Sequence, residues 1–208
     1  MTIPIEDFVD DILPRIPNAL ESTIEVAVRD AAIKFFHLGD MWHSNDEVVS
    51  DGSTREIMFT IPEGSQLHAV SRVWFQGVRD SRPRLVESTT RVLMDRPRGN
   101  NEPVTQWYRD GYEKIIVNGN EIGTYTIRLT ILPERGFMEL PRWQTEQWFD
   151  SIRAGAMARL YEMPDKPWTN VAAAQNFEMQ YLQGAKDAKR YASGAPEKPA
   201  RTTKYGGI

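Results

Sequence analysis

The apolar positions of residues 22–42 recur at the spacing of one face of an α-helix. The segment reads STIEVAVRDAAIKFFHLGDMW. Ser22, with Glu25 three residues later, matches a capping box and predicts Ser22 as the N-cap. IEDFVDDIL predicts a short preceding helix that ends at Pro14. The predicted stripe of the longer helix consists of Ile24, Val28, Ala31, Phe35, Leu38 and Trp42.

Between residues 54 and 132 the pattern changes to an alternation of apolar and polar positions. The apolar residues Tyr125, Ile127, Leu129 and Ile131 alternate with polar ones, which is typical of a strand with one buried face. The segment Asn118–Gly123, NGNEIG, predicts a hairpin connection between IIV and TYTIRLTIL. We expect about five or six antiparallel strands in this region.

Helical spacing returns in LPRWQTEQWFDSIRAGAMARLYEM, with Pro141 near its start. The predicted buried stripe consists of Trp148, Ile152, Ala156, Leu160 and Met163. A further helix is predicted over residues 169–191, antiparallel to the one before it. Its predicted stripe consists of Ala173, Phe177, Tyr181, Gly184 and Ala188.

The corner between these two helices has a specific sequence. Met163 precedes Pro164, which disfavours the helical conformation and predicts a helix end. Asp165 and Lys166 are expected to form the turn, and Thr169 is expected to cap the next helix. The predicted structural corner consists of Met163, Pro164, Lys166, Pro167 and Trp168, and Trp168 is expected to fill it by burial.

These patterns predict an α+β fold. The N-terminal helices and the C-terminal helix hairpin form a helical bundle over residues 1–48 and 135–191. An antiparallel β-sheet or sandwich is inserted over residues 49–134, and residues 192–208 form an extended C-terminal arm.

Composition adds three constraints. Hydrophobic residues make up 40% of the chain. No apolar run approaches the roughly 18 residues that a membrane span needs, so we expect a soluble protein. The acidic N-terminus lacks the pattern of a secretory signal, which disfavours export by that route. The absence of Cys excludes disulfides, zinc–thiolate sites and a Cys nucleophile.

The charge is distributed unevenly along the chain. The formal net charge is -4, and the segment from Lys186 onward contains six basic and two acidic residues, so the remainder is strongly acidic. The basic segment is expected either to meet an acidic surface or phosphates, or to be a solvated tail. Residues 192–208 are rich in Ala, Gly, Pro and Lys, a composition typical of disorder, but they end in apolar residues that a partner could order.

The residues that commonly carry catalysis form no recognised motif. His37, His43 and His68 have no metal-ligand or triad spacing, and no phosphate-binding glycine loop is present. These features favour surface or core histidines and give no support to nucleotide hydrolysis.

Two acidic pairs, Asp10 with Asp11 and Asp46 with Glu47, are candidates for a divalent cation site or for acid–base catalysis. Because each pair stands alone, a solvated surface is the preferred interpretation. We predict no cofactor and no metal.

Aromatic and basic residues of the β region suggest binding. Trp74, Phe75, Trp107 and Tyr108 are candidates for a sugar or base platform, although core packing is the preferred explanation for them. A cluster of arginines is a candidate for contact with another subunit or with DNA in a channel, because an acidic body disfavours tight DNA binding. It consists of Arg82, Arg84, Arg91, Arg96 and Arg98.

The two helical regions carry a family resemblance. DAAIKFFHLGDMW in the N-terminal helix, and GAMARLYEMPDKPWTN followed by residues 180–188, resemble the head-to-tail adaptor or connector proteins of tailed bacteriophages. Sequences of that type have AAxxF and a later Trp in the first helix, a β segment, and a helix hairpin whose corner reads MPxKPW. The resemblance covers residues 5–45 and 135–190 and does not extend to the β insertion.

The resemblance implies a non-enzymatic virion protein assembled in the host cytoplasm and located at the head–tail junction. Its copies would form a ring, commonly of twelve subunits, below the portal protein, extend the channel for genomic DNA, and receive a tail or nozzle protein. No membrane partner is implied. A portal-binding role for the arm is expected to involve Lys198, Arg201, Lys204, Tyr205 and Ile208.

Three alternatives remain at this stage. Another neck or tail component, such as a stopper, tail-tube or nozzle subunit, belongs to the same class. A carbohydrate-binding β module would use Trp74 and Trp107 for stacking. A hydrolase using the acidic pairs ranks last.

Overall fold

The structure, a computed structural model, describes residues 2–91 and 103–193, apart from the side chains of Trp143 and Gln144. In the part of the chain that it describes, the fold is α+β, with four α-helices and a large, nearly closed β-sheet. The elements are β1 (Thr2–Pro4), α1 (Ile5–Ile12), a 3-10 turn (Leu13–Arg15), α2 (Glu21–Gly39), β2 (His43–Ser50), β3 (Glu56–Met58), β4 (Ser65–Gly77), β5 (Arg84–Ser88), β6 (Gln106–Arg109), β7 (Lys114–Val117), β8 (Gly123–Pro133), β9 (Glu139–Pro141), α3 (Arg142–Glu162) and α4 (Val171–Ala192).

The chain divides into two compact units. The first lies within Met1–Met41 and Met138–Ile208 and is called the helical unit here, and the second, Trp42–Phe137, is called the sheet unit. Residues 43–48, which the sequence placed with the helices, form most of β2 in the sheet unit. None of the helices in the described ranges is both long and apolar enough to cross a bilayer.

Helix α2 begins two residues earlier than predicted. Its N-cap is Leu20, and the predicted cap Ser22 lies inside the first turn, which is a correction to the sequence analysis. The carbonyl of Leu20 accepts from the backbone N–H groups of Thr23 and Ile24 at 2.9 and 3.1 Å, so the backbone begins the helix there without a side-chain cap.

The C-terminal end of α2 also differs from the prediction. Asp40 adopts the left-handed conformation with φ 46, which ends the helix after Gly39. Trp42, predicted as the last position of the helical stripe, instead packs against the core of the sheet unit. The stripe residues Ile24, Val28, Ala31 and Phe35 are buried as predicted.

Helices α3 and α4 run antiparallel, as predicted. Tyr161 stacks on Phe177 near one end of the pair, and Trp148 contacts Tyr191 near the other. The hydroxyl of Tyr181 in α4 donates to the carbonyl oxygen of Ala31 in α2 at 2.9 Å, so α2 packs on the same pair.

Small residues allow these helices to approach closely. A Cβ added to Gly155 would lie 2.4 Å from the Tyr181 ring, and one added to Gly184 would lie 2.1 Å from Oγ of Ser151. Glycine is therefore required at both positions for this packing.

A short antiparallel pair of strands, β1 and β9, joins the start of the chain to the start of α3. Ile3 lies opposite Leu140, and both are buried. The sequence does not predict this pair, because three-residue strands leave no periodic pattern.

The sheet unit is a seven-stranded sheet in the order β2-β8-β4-β5-β6-β7-β3. The two outer strands come near each other, and the backbone N–H of Thr60, just after β3, donates to Oδ2 of Asp46 in β2 at 2.7 Å. The buried core of the unit includes Val73, Phe75, Tyr125 and Ile127. The predicted alternation along β8 is confirmed up to Leu129, beyond which Thr130 is buried as well.

Two predictions about strand pairing are wrong. Strands β5 and β6 pair in parallel, so the sheet is not wholly antiparallel. Parallel neighbours need a long connection, and residues 89–105 separate these two strands in the sequence. Strands β7 and β8 are not neighbours, so Asn118–Gly123 is not a hairpin turn.

The side chain of Asn118 explains why the chain does not form a hairpin turn after β7. Its Oδ1 accepts from the backbone N–H groups of Thr105 and Gln106 at 2.9 and 2.8 Å, and its Nδ2 donates to Oγ1 of Thr105 at 2.8 Å. The side chain therefore ties the end of β7 to β6, and the chain continues to the other part of the sheet.

Candidate interaction surface

The corner between α3 and α4 is built by backbone and hydroxyl hydrogen bonds. Met163 is the C-cap of α3, and its backbone N–H donates to the carbonyl of Leu160 at 3.2 Å. Asp165 has φ 57, so the turn places a non-glycine residue in the left-handed region. Pro164, Lys166 and Pro167 are exposed, and the corner therefore presents a rigid, solvated edge.

The predicted cap of α4 is displaced by one residue. Asn170, not Thr169, is the N-cap, and its Oδ1 accepts from the backbone N–H of Ala173 at 3.0 Å. The Thr169 hydroxyl accepts from the N–H of Lys166 at 3.1 Å and donates to the carbonyl of Met163. Thr169 therefore holds the turn, and this is why it cannot cap the helix.

Trp168 is less buried than predicted. The residue is half-buried, and its Nε1 is itself inaccessible and has no hydrogen-bond partner among the described residues. It lines a depression of about 340 Å³ together with Arg15, Pro17 and Tyr161. The corner thus lies beside the segment before α2, across this depression.

Beside this corner lies a groove of about 700 Å³ in the helical unit. Val171, Ala174 and Met179 of α4 and Ala158 of α3 supply its apolar lining. Val171 and Met179 are each 63% exposed. Charged and amide side chains line the rest of the groove. The groove therefore combines two exposed apolar side chains with a polar border.

Two ion pairs border the groove. Nζ of Lys34 lies 3.1 Å from Oε1 of Glu178, and Nη1 of Arg159 lies 2.7 Å from Oδ2 of Asp30. Both pairs are largely exposed, so each contributes little to stability and serves mainly to orient the charges around the groove.

Sequence reasoning missed Val171 and Met179. They lie off the stripe Ala173, Phe177 and Tyr181, and an apolar residue outside a helical stripe is the available signal for such a surface. Leu20 and Val26 of the α2 region are also exposed, at 71% and 53%.

Arg84, one of the arginines predicted to contact another subunit or DNA, forms ion pairs within its own chain instead. Its guanidinium pairs with Oδ2 of Asp80 at 3.2 Å and with the carboxylate of Glu121, and it lies 4.9 Å from the centroid of the Phe75 ring. Two carboxylates thus offset its charge, which leaves Arg84 poorly suited to bind phosphate.

The other predicted contacts are placed differently. Arg82 is exposed. Arg96 and Arg98 lie outside the described residues, as do the arm residues Lys198, Arg201, Lys204, Tyr205 and Ile208.

Neither acidic pair forms a site in which two carboxylates face each other. Asp11 forms ion pairs with Arg15 and Arg153 at 3.8 and 2.9 Å. Asp46 and Glu47 are consecutive residues of β2, so their side chains point to opposite faces of the sheet. Within residues 2–91 and 103–193, no group of three or more His, Asp or Glu side chains is arranged to hold a metal ion.

One array on the sheet joins hydroxyl groups to a histidine. Oγ of Ser71 lies 2.5 Å from Oγ1 of Thr130, which lies 3.4 Å from Nδ1 of His43. The hydroxyl of Thr130 therefore lies between the serine and the imidazole in this array.

The aromatic candidates divide between the two faces of the sheet. Phe75 and Trp107 belong to the buried core, at 0% and 4% exposure, whereas Trp74 and Tyr108 are half-buried. A stacking platform needs an accessible ring face, so Trp107 cannot serve the sugar-binding role suggested by the sequence.

Two buried tyrosines have perturbed ionisation. Burial raises the pKa of Tyr181, and the nearby Arg159 partly opposes this shift. Burial also raises the pKa of Tyr125, with a further contribution from Glu121. Both phenols remain neutral at physiological pH and act in packing and hydrogen bonding.

No protein-family model matches this chain, and a search of curated proteins finds no match to it either.

Proposed function

We propose that the chain is a non-enzymatic structural protein of a tailed bacteriophage, a head-to-tail adaptor located in the virion at the head–tail junction. About twelve copies would form a ring below the portal protein, extend the channel for genomic DNA and receive a tail or nozzle protein. In this proposal residues 192–208 bind the portal, and the helical unit is a bundle that forms the ring.

The observation that carries the proposal is a set of exposed apolar side chains on the helical unit, two of which line a groove. Leu20 and Val26 are 71% and 53% exposed, and Val171 and Met179 are each 63% exposed beside a groove. An assembly that covers these side chains removes them from water, which contributes about 25 cal/mol for each Å² of apolar surface buried. A rigid corner next to the groove keeps that surface in a fixed shape.

The sheet unit supplies a second surface in this proposal. Val78 and Ile122 are 78% and 50% exposed, and the N–H of Val78 donates to the carbonyl of Ile122 at 3.4 Å. These side chains form an apolar site for a tail protein or a neighbouring subunit. Arg82 is a channel contact in this account, whereas Arg84 is retained by Asp80 and Glu121.

A deletion experiment tests the proposal. Removing residues 192–208 is expected to abolish co-sedimentation with purified portal rings and to leave the helical circular dichroism unchanged. Co-sedimentation that survives the deletion would contradict the role of the arm.

Substitutions in the groove test the ring-forming surface separately. Val171→Asp with Met179→Asp is expected to reduce the number of copies bound per portal ring. The matched control is Gln147→Asp with Gln180→Asp, which adds the same two charges at exposed polar positions of α3 and α4 outside the groove lining and is expected to leave the number unchanged. Equal occupancy by all variants would contradict this assignment.

Another neck or tail component, such as a stopper, tail-tube or nozzle subunit, shares the same supporting observation. It is distinguished by its partner, because such a subunit would bind tail proteins and not isolated portal rings. The carbohydrate-binding alternative has no observation in its favour, since Trp107 lies in the core.

A further inference from the structure

Helix α1 presents an acidic surface, called here the acidic face, that consists of Glu6 and Asp10. The two residues are four positions apart and therefore share one side of the helix. Both are exposed, and neither forms an ion pair within the described residues. The opposite side of α1 is buried through residues such as Phe8.

The last turns of α4 present a basic surface, called here the basic end, that consists of Lys186 and Lys189. Both side chains are exposed and are not ion-paired in the part of the chain that the structure describes. The neighbouring Arg190 is held by Asp187 at 3.3 Å. The basic end thus carries two cations without an internal partner.

The two surfaces lie at the same level along α3, on different sides of it. Phe149 stacks on Phe8 of α1 with ring centroids 4.0 Å apart. Trp148, the preceding residue, contacts Tyr191 in the last turn of α4, with ring centroids 6.5 Å apart. Consecutive residues point about 100° apart around a helix, so α1 and the end of α4 flank α3 in different directions.

We propose that the basic end of one copy docks on the acidic face of the next copy in the ring. This inference rests on the proposed function and identifies a contact between neighbouring subunits in addition to the groove lined by Val171 and Met179. Because the two surfaces are different parts of the chain, the contact is head-to-tail and can be repeated around a closed ring, unlike a two-fold contact. Its electrostatic part weakens with salt, since the Debye length is about 8 Å at physiological ionic strength.

Charge reversal tests the contact. Lys186→Glu with Lys189→Glu, and separately Glu6→Lys with Asp10→Lys, are each expected to weaken subunit association about tenfold or more. Association is measured by light scattering and native mass spectrometry, with and without purified portal rings. Combining all four substitutions in one chain is expected to restore assembly, because the charges are again complementary.

The variant with all four substitutions distinguishes a loss of docking from a loss of folding stability. Glu6→Lys places a cation in the first turn of α1, and Lys189→Glu places an anion in the last turn of α4. Both changes oppose the helix dipole and lower the stability of the single-surface variants and of the combined variant alike. A variant that merely folds poorly would therefore not recover assembly. The control Arg72→Glu with Arg135→Glu makes the same change in net charge as the lysine reversal, at exposed positions of the sheet unit, and is expected to assemble normally.

Engineered cysteines give an independent test, because the chain contains no Cys of its own. A mixture of the Asp10→Cys and Lys189→Cys variants is expected to form a disulfide-linked dimer under assembly conditions, whereas either variant alone is expected to remain uncrosslinked.

The outcomes distinguish the inference from the proposed function. Rings that assemble normally with either surface reversed, and give no mixed disulfide, would overturn the inference and leave the ring in place. A wild-type chain that never associates, alone or with portal rings, would overturn the proposed function and the contact together.

Discussion

The ring of Tyr181 lies so close to Gly155 that a Cβ on residue 155 would come within 2.4 Å of it. The same tyrosine donates its hydroxyl to the carbonyl of Ala31 at 2.9 Å. One side chain of α4 therefore fixes its distance to α3 and to α2. The shape of the helical unit, and of any surface that it offers to a partner, depends on this contact.

Gly155→Ala is expected to destabilise the protein by about 1–3 kcal/mol, because the added methyl group overpacks the interface with Tyr181. Alanine would gain up to about 1 kcal/mol of helix propensity over glycine, so the clash has to exceed that gain. Urea unfolding measures the difference. Gly136→Ala is the control, since a Cβ there meets nothing within 4 Å. Equal stability of the two variants would contradict the packing described here.

Tyr181→Phe is expected to cost about 1 kcal/mol near pH 7, through loss of the hydrogen bond to Ala31. Burial raises the pKa of Tyr181 in the folded state. The stabilisation is therefore fully present below the unfolded-state pKa of about 10 and is lost as pH rises above it, because the unfolded chain ionises first.

The difference in unfolding free energy between wild type and Tyr181→Phe should consequently narrow above about pH 10. Urea unfolding at a series of pH values from 7 to about 11 measures it. A difference that widens with rising pH would show that the phenol is not buried as described.

The N-caps of α2 and α4 lie within two residues of the positions predicted from the sequence. Asn170→Ala is expected to cost about 1 kcal/mol, because Asn170 caps α4. Ser22 lies inside α2 and caps nothing. Ser22→Ala is therefore expected to change the unfolding free energy by at most about 0.5 kcal/mol. Thermal unfolding of both variants measures these effects, and a larger loss for Ser22→Ala would contradict the assignment of Leu20 as the N-cap.

Arg84→Ala is expected to destabilise the sheet unit by about 1 kcal/mol, because Asp80 and Glu121 lose a shared cation and Phe75 loses its contact. The effect is small because these groups are each roughly one-third exposed to solvent. Arg82→Ala is the matched control and is expected to have no effect on stability. Equal unfolding midpoints for the two variants in urea would contradict the structural role of Arg84.

Local patterns predicted the helices better than the sheet. Residues such as Ile24, Phe35 and Tyr181 were identified as buried because a helical stripe depends only on neighbours three or four residues away. Strand pairing depends on distant residues. Nothing local indicates that Asn118 bonds to Thr105, or that β5 and β6 run parallel, so the predicted hairpin and the wholly antiparallel sheet were wrong.

The candidate surface residues were also hard to predict, because their surroundings depend on distant parts of the chain. The corner sequence indicated a turn, but only the packed structure shows that Val171 and Met179 line a groove and that Arg84 is neutralised by two carboxylates. Exposure and pairing are properties of three-dimensional neighbours, and a list of arginines in one segment does not distinguish a free cation from a paired one.

The central claim is that copies of this chain assemble below a portal, and the mass of the assembly tests it most directly. Native mass spectrometry of purified portal rings, before and after addition of the chain, measures the mass gained. Each copy has a mass of 23.8 kDa. The account predicts that each portal ring gains the mass of about twelve copies. A portal ring whose mass does not change after mixing would contradict it.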